Sequence, residues 1–523
     1  MENICSKFKV FFDSLQTKEN WFRFGTVFST KEKNYFFDTG TGKVFEISKP
    51  TKLALDCILR TNNFDNLSQL GLTCEELEEA LQDIKTTVQE ENILKAPPVE
   101  YLISRAPTKD ALKDALGHQI DSLTLELTEK CNLRCKYCIY SDSRTDYRNF
   151  ETHDMSIETV KKSIDFLFDH SESDVFLCFY GGEPLLKFDL IQYAVEYANK
   201  KAQQLNRKIT YSMTSNMVLM DDEKSQYIGS MENFSVMASI DGPKEIHDLN
   251  RVTINGEGSF EKAIGGVYRL VKARNKNGID MPILFSSVIT PPYTEKKFDE
   301  IQSFIKSLDW LPKNSSIQIG YESREPKKEL YIPINSREEN QLGYNDTIGD
   351  IMDPLEEWSM AKENTDLENI FSYSYLSKGF AIIHQRKIAD KPFPYYTMHG
   401  CCIPGGRKCY ITVNGDILPC ERVGSIAAIG NVDTGYDIEK IFETYIEEYS
   451  KEAVKYCSEC WAVNICSDCY SGCMDKNGHV NFSYKHPRCR STRKHIRYDL
   501  VCYHELLEHR PDVISKINEI QMV

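Results

Sequence analysis

Between positions 122 and 322 the sequence repeats one pattern six times: a short apolar run and then, in most repeats, an amphipathic helical stretch. The pattern predicts strands over residues 122–128, 174–181, 208–216, 233–241, 282–290 and 316–322. It predicts helices over 156–170, 185–202, 259–273 and 294–308. Parallel strands need crossover helices, so six such repeats imply a parallel sheet. The expected fold class is α/β, a partial six-stranded (β/α) barrel. Sites in such folds gather at the C-terminal strand ends.

Cysteine is the second constraint. The chain of 523 residues holds 18 cysteines, and eleven of them fall between positions 401 and 523. The N-terminus lacks the basic start and apolar stretch of a signal peptide, so a cytoplasmic, reducing location is expected. Disulfides are then disfavoured, and closely spaced cysteines point to metal. No apolar run reaches the ~18 residues of a membrane span. A net charge of −15 repels phosphate backbones and argues against nucleic-acid binding.

The most specific motif is Cys131-x3-Cys135-x2-Cys138, directly after the first predicted barrel strand. Three thiolates on one loop can hold three irons of a four-iron cluster and leave the fourth open. The competing reading is a zinc knuckle, which wants four ligands; no fourth Cys or His lies close by.

This motif, with aromatic Tyr137 before its last cysteine, resembles the signature of radical S-adenosylmethionine (SAM) enzymes. Gly181-Gly182-Glu183-Pro184 resembles the family segment that holds the SAM amino group. Ser215-Asn216 resembles its polar contact. Ser239-Ile240-Asp241-Gly242-Pro243 resembles its ribose-side contact. His247 and Arg251 continue the pattern of the peptide-modifying branch, where such an Arg faces the SAM carboxylate. Taken singly, these residues are also explained by turns and caps. The resemblance implies a SAM-binding [4Fe-4S] cluster, one electron passed to SAM, and a deoxyadenosyl radical that takes hydrogen from the substrate.

The C-terminal cysteines resemble the SPASM extension, which binds two auxiliary clusters. The set is Cys402, Cys420, Cys457, Cys460, Cys466, Cys469, Cys473 and Cys489, enough for two four-cysteine clusters. The resemblance assigns Cys457, Cys460, Cys466 and Cys489 to an outer cluster. It leaves Cys402, Cys420, Cys469 and Cys473 for an inner one, with Cys401 and Cys409 as replacements. The usual pattern has a cysteine four positions after Cys466, where this chain carries Tyr470. Two zinc ribbons are the alternative that spacing alone permits. Glu421, beside Cys420, matches the place of a catalytic Asp in sulfatase-maturing relatives; a solvated surface carboxylate is the plainer reading.

Residues 1–98 are expected to form a winged-helix module, with a hairpin over 34–48 around Asp38-Thr39-Gly40-Thr41-Gly42. Helices are expected over 52–60 and after Thr73, where Thr73 and Glu76 match a capping box. A linker (99–121), the barrel (122–322), a helical bridging region (323–400) and the SPASM region (401–523) would follow. Charge of −4 over the first hundred residues argues against a DNA reader. Peptide maturases often carry a leader-binding module here, which captures the leader by strand addition.

The segments around Cys402, Cys420 and Cys460-Trp461-Ala462 resemble clostridial maturases of Cys-rich peptides, the ruminococcin C type. That resemblance implies sulfur-to-α-carbon thioether (sactionine) links in a Cys-rich precursor peptide, with flavodoxin or ferredoxin as electron donor. The alternatives are an anaerobic sulfatase-maturing enzyme and a zinc-binding interaction protein.

Overall fold

The computed structural model describes residues 2–19, 23–61, 63–140, 150–321, 379–398, 400–406, 408–423, 428–458, 460–475, 478–511 and 517–518. The expected bridging region falls mostly outside the described residues, as does the last position of the sixth predicted strand.

The first unit begins with helix α1 (Glu2–Glu19). A three-stranded antiparallel sheet follows, β1 (Gly25–Ser29), β2 (Asn34–Asp38) and β3 (Val44–Ile47) in that order. Helices α2 (Lys49–Thr61) and α3 (Cys74–Glu91) cover it. The capping box at Thr73 and Glu76 forms, and Leu77, Leu81, Ile84 and Val88 are buried. Helix α1 and strand β1 were not anticipated from the sequence. The expected hairpin is the β2–β3 pair, but β2 is the central strand. Only β3 of that pair lies at an edge of the three-stranded sheet.

The sheet of this unit has two apolar faces. Val27 and Phe36 pack with α1–α3, whereas Phe28, Tyr35 and Phe37 share a core with Phe380, Trp461, Ile465, Leu500 and Tyr503. A strand with two covered faces reads as a continuous apolar run, as Tyr35-Phe36-Phe37 does. Cutting the chain at residue 96 would therefore uncover part of the C-terminal region.

Beyond β4 (Leu102–Ile103) and α4 (Lys109–His118) come six parallel strands: β5 (Ser122–Glu126), β6 (Val175–Tyr180), β7 (Ile209–Ser215), β8 (Phe234–Ser239), β9 (Leu284–Ile289) and β10 (Ser316–Tyr321). They pair in sequence order, each strand with the next. Between them run α5 (Ile157–Asp169), α6 (Phe188–Leu205), α7 (Asp222–Gly229), α8 (Lys244–Asn250), α9 (Phe260–Lys276) and α10 (Glu295–Ser307). Ser156 and Thr294 cap α5 and α10. Leu123, Leu125, Leu177, Val236 and Ala238 are fully buried.

The sheet does not stop at β5, where the sequence pattern ends it. After β11 (Tyr396–Thr397), strand β12 (Cys409–Ile411) pairs parallel to β5. Then β13 (Asp416–Leu418), β14 (Gly430–Asn431) and β15 (Gly435–Tyr436) extend it antiparallel to ten strands. The cysteine-rich region is thus hydrogen-bonded to the first strand of the βα core. Gly415 turns β12 into β13 with φ +85, a conformation that favours glycine.

Candidate functional site: a thiol loop at the parallel strand ends

The three thiols Cys131, Cys135 and Cys138 sit on the loop that leaves the C-terminal end of β5. Two neighbouring loops hold this loop by its backbone. Arg134 N donates to Val252 O (2.7 Å) and Lys136 N to Asn250 O (3.1 Å). On the other side Gly182 N donates to Thr128 O (2.8 Å) and Glu183 N to Lys130 O (2.9 Å). That approach explains the glycines. A Cβ on Gly181 would lie 2.4 Å from Thr128 O, and one on Gly182 would lie 2.0 Å from Lys130 O.

Glu183 is buried and ties the end of β6 to the end of β7. Its carboxylate accepts from Ser215 Oγ (2.8 Å), Asn216 N (2.8 Å) and Leu185 N (3.1 Å). Burial pushes its pKa up, to about 7, although those hydrogen bonds pull it back. Asn216 then reaches the thiol loop. Its Nδ2 donates to Asn132 Oδ1 at 2.8 Å and lies 3.9 Å from Cys131 Sγ.

A second cluster closes the other side. Tyr137 Oη donates to Asp241 Oδ2 (2.5 Å), and Arg251 holds the same carboxylate through Nη2 and Nε, each at 3.0 Å. The Arg251 guanidinium lies 5.4 Å from the Tyr137 ring centroid. Val288 N adds a donor to Asp241 at 2.9 Å. The Asp241 carboxylate is therefore engaged in holding Arg251 and Tyr137, a role the sequence did not suggest. Arg251 also pulls down the pKa of Cys135, though burial outweighs it and sets that pKa at about 11.

His247 supports this group from behind. Its Nε2 lies 3.0 Å from Ser259 Oγ, which donates to Arg251 O at 2.7 Å. Burial pushes the His247 pKa down, to about 4, so the ring is neutral near pH 7. Ser239 ends β8 and pairs with Ser286 of β9.

The C-terminal cysteines approach the same strand ends. Glu126, the last residue of β5, accepts from Tyr410 Oη (3.0 Å) and Val413 N (3.3 Å). This seam had no signal in the sequence, because a buried Glu is rare and its partners lie far along the chain. Tyr180, the last residue of β6, has its pKa raised chiefly by burial, and it lies within electrostatic reach of Glu421, Cys138 and Arg251. Cys420 is likewise raised by burial, to about 12, and feels Glu421, Cys469 and Cys402.

Glu421 pairs with Lys408 (3.1 Å) and Arg422 (3.8 Å). Burial pushes its pKa up, but Lys408 and Arg422 outweigh that and hold it below the usual value.

Cys473 is fully buried, and Cys457 ends the helix Tyr449–Cys457. Cys489 lies on the helix Phe482–His509. Cys460 N donates to Cys457 O at 3.1 Å, and Cys466 follows in the same segment. Cys409 lies in β12, and its Sγ accepts from Tyr436 Oη at 3.3 Å.

The donor chemistry fits iron–sulfur clusters. Buried thiols are pushed up, Cys131 to about 12 chiefly by burial, and a bound metal reverses that cost by deprotonating them. Among the described residues no three cysteine sulfurs lie within 4.8 Å of one another. No described helix is long and apolar enough to cross a membrane.

Residues 125–305 match the Radical SAM superfamily model. A cysteine-type anaerobic sulfatase-maturating enzyme of Clostridium novyi (strain NT) is 29% identical over 187 residues, covering 35% of this chain and 47% of that protein. This chain thus spans about half the length of that relative. The radical SAM cyclopropyl synthase TigE of Paramaledivibacter caminithermalis is 24% identical over 375 residues, covering 69% and 70%. The solved structure of native anSMEcpe with bound AdoMet superposes with a TM-score of 0.51 at 20% identity, over 76% of this chain and 100% of that one. At that identity the likeness is one of fold. Over residues 125–305, therefore, this chain matches the Radical SAM superfamily, and it is similar in sequence to anaerobic sulfatase maturases and to a cyclopropyl synthase.

Proposed function

We propose that the protein is a peptide maturase that installs sulfur-to-α-carbon thioether links in a ribosomally made Cys-rich precursor. One observation carries this reading furthest. Cys138 of the thiol loop and Glu421, the neighbour of Cys420, both lie within electrostatic reach of Tyr180, which supports a substrate bound between the two groups. When bound, SAM and its [4Fe-4S] cluster supply the hydrogen-abstracting radical. Cys131, Cys135 and Cys138 would hold that cluster. Tyr137, Gly181, Gly182, Glu183, Ser215, Asn216, Ser239, Asp241 and Arg251 would surround SAM.

Eight further thiols, Cys402, Cys420, Cys457, Cys460, Cys466, Cys469, Cys473 and Cys489, would hold two auxiliary clusters. Each link removes two hydrogens from the peptide: one from an α-carbon and one from a thiol. An electron must therefore leave, which is a reason for auxiliary clusters in such a chain. An external flavodoxin or ferredoxin would supply the reducing electron. Edge strand β3 would take the leader by strand addition, in keeping with a winged-helix recognition module over residues 1–98 in a cytoplasmic enzyme.

The test uses anaerobically reconstituted protein, SAM, reductant and a Cys-rich precursor deuterated at candidate α-carbons. Deuterium should move into deoxyadenosine, and the peptide should lose two hydrogens per link. Transfer only from β- or γ-carbons would sink the α-carbon linkage. The similarity to sulfatase-maturating enzymes keeps a second reading, formylglycine formation. Turnover of a sulfatase fragment with no peptide linkage would establish it.

A further inference from the structure

Tyr470 stands where the SPASM pattern has a cysteine, and its side chain is turned toward the thiols. It is 2% exposed. Its ring lies edge-on to Tyr445 (centroids 5.0 Å apart, 75°) and to Tyr449 (6.3 Å, 86°). Its hydroxyl lies 3.0 Å from Cys402 Sγ. The next residue repeats the arrangement, with Ser471 Oγ 3.0 Å from Cys469 Sγ. Cys402 and Cys469 both lie within electrostatic reach of Cys420.

We propose that Tyr470, helped by Ser471, is a positioning residue that donates hydrogen bonds to the Cys402 and Cys469 sulfurs and thereby raises the reduction potential of the inner auxiliary cluster. The inference rests on the reading that Cys402, Cys420 and Cys469 bind that cluster. A ligating cysteine is a thiolate with no proton to give, so the hydroxyl must be the donor in each pair. Hydrogen bonds to cluster sulfurs withdraw electron density and favour the reduced state. Tyr470 thus exchanges a ligand position for a tuning one. The ring packing fixes the phenol, so little entropy is lost in forming the bond. A higher potential suits a cluster that must accept the electron released when a link forms.

The test is an EPR-monitored redox titration of the reconstituted full chain. Tyr470→Phe keeps the ring and removes only the hydroxyl. One auxiliary midpoint should shift to a more negative potential, and should shift further with Ser471→Ala added. Iron content and the signal of the Cys131–Cys138 cluster should stay as in the wild type. Tyr436→Phe, which removes the hydroxyl beside Cys409, should move no midpoint. Full iron with every midpoint unchanged in the double variant overturns the proposal. Loss of one cluster's iron in Tyr470→Phe also overturns it, because the phenol would then be needed for binding. Ser471→Ala alone gives the same readout if the tyrosine variant does not fold. A wild-type chain without auxiliary iron would sink the cluster reading itself.

Discussion

Cys131, Cys135 and Cys138 share one loop, whereas Cys402, Cys420 and Cys469 come from three separate segments. The first lies at the C-terminal end of β5, and Glu421 beside Cys420 lies within electrostatic reach of Tyr180 at the end of β6. The first is held locally, by the ends of β6, β7 and β8 and by the charge lock of Tyr137, Asp241 and Arg251. The second is held by residues distant in sequence. Glu126 clamps Tyr410 and Val413. The β2–β3 turn also grips the segment between Cys460 and Cys466. There Thr39 Oγ1 donates to Trp461 O (2.6 Å), and Asn464 Nδ2 donates to Thr39 O (2.7 Å). A contiguous motif can thus rest on a generic sheet, while a dispersed one needs the rest of the chain to assemble it.

The contrast is broken most directly by removing the first group. Replacing Cys131, Cys135 and Cys138 together by Ala should abolish SAM cleavage and leave auxiliary iron in place. Iron counting and a deoxyadenosine assay check this; wild-type deoxyadenosine formation, or loss of all iron, would show that the two groups are not independent.

A smaller effect tests the charge lock. Arg251→Met leaves the buried Asp241 carboxylate without its cation and should cost about 3–5 kcal/mol. Denaturant unfolding under anaerobic conditions measures it. A loss below about 1 kcal/mol would mean that Tyr137 and Val288 N hold Asp241 without Arg251.

The smallest effect tests the distant clamp through pH. Asp38 is fully buried in the β2–β3 turn, where it accepts from Thr41 N, Thr41 Oγ1 and Leu94 N, each at 2.8 Å. Burial pushes its pKa up from 3.8 to about 6, despite those hydrogen bonds. Between those values the native chain keeps a proton that the unfolded chain has released. The Asp38 contribution is therefore fully present below 3.8 and is lost as pH rises through about 6. The shift corresponds to a change on the order of 3 kcal/mol over that window. Asp38→Asn should lessen the loss of stability on going from about pH 4.5 to pH 7 by about that amount relative to the wild type, read as denaturant midpoints at the two pH values. An unchanged dependence would place the titrating group elsewhere.

Periodicity alone marked the six parallel strands, because the period of a strand and that of a helix differ and the crossover rule orders them. The Cys131–Cys138 motif was legible because its spacing is local and its place after a strand is set by the same periodicity. The contiguity of Gly181-Gly182-Glu183 carried a signal too, although the reason for the glycines, close approach to Thr128 and Lys130, did not.

What only the tertiary structure decided lies across long sequence separations. The β12–β5 pairing, the Glu126 seam, the Asp241 lock and the Tyr470 hydroxyl on Cys402 each join residues that no local pattern relates. Periodicity records which face of an element is apolar. It carries no record of which distant donor meets a buried carboxylate or thiol, since many partners satisfy the same polar group. That choice is made by packing: once β12 joins the β5 edge, Tyr410 and Val413 are the donors within reach of Glu126, and the cysteine-rich region comes to rest beside the thiol loop.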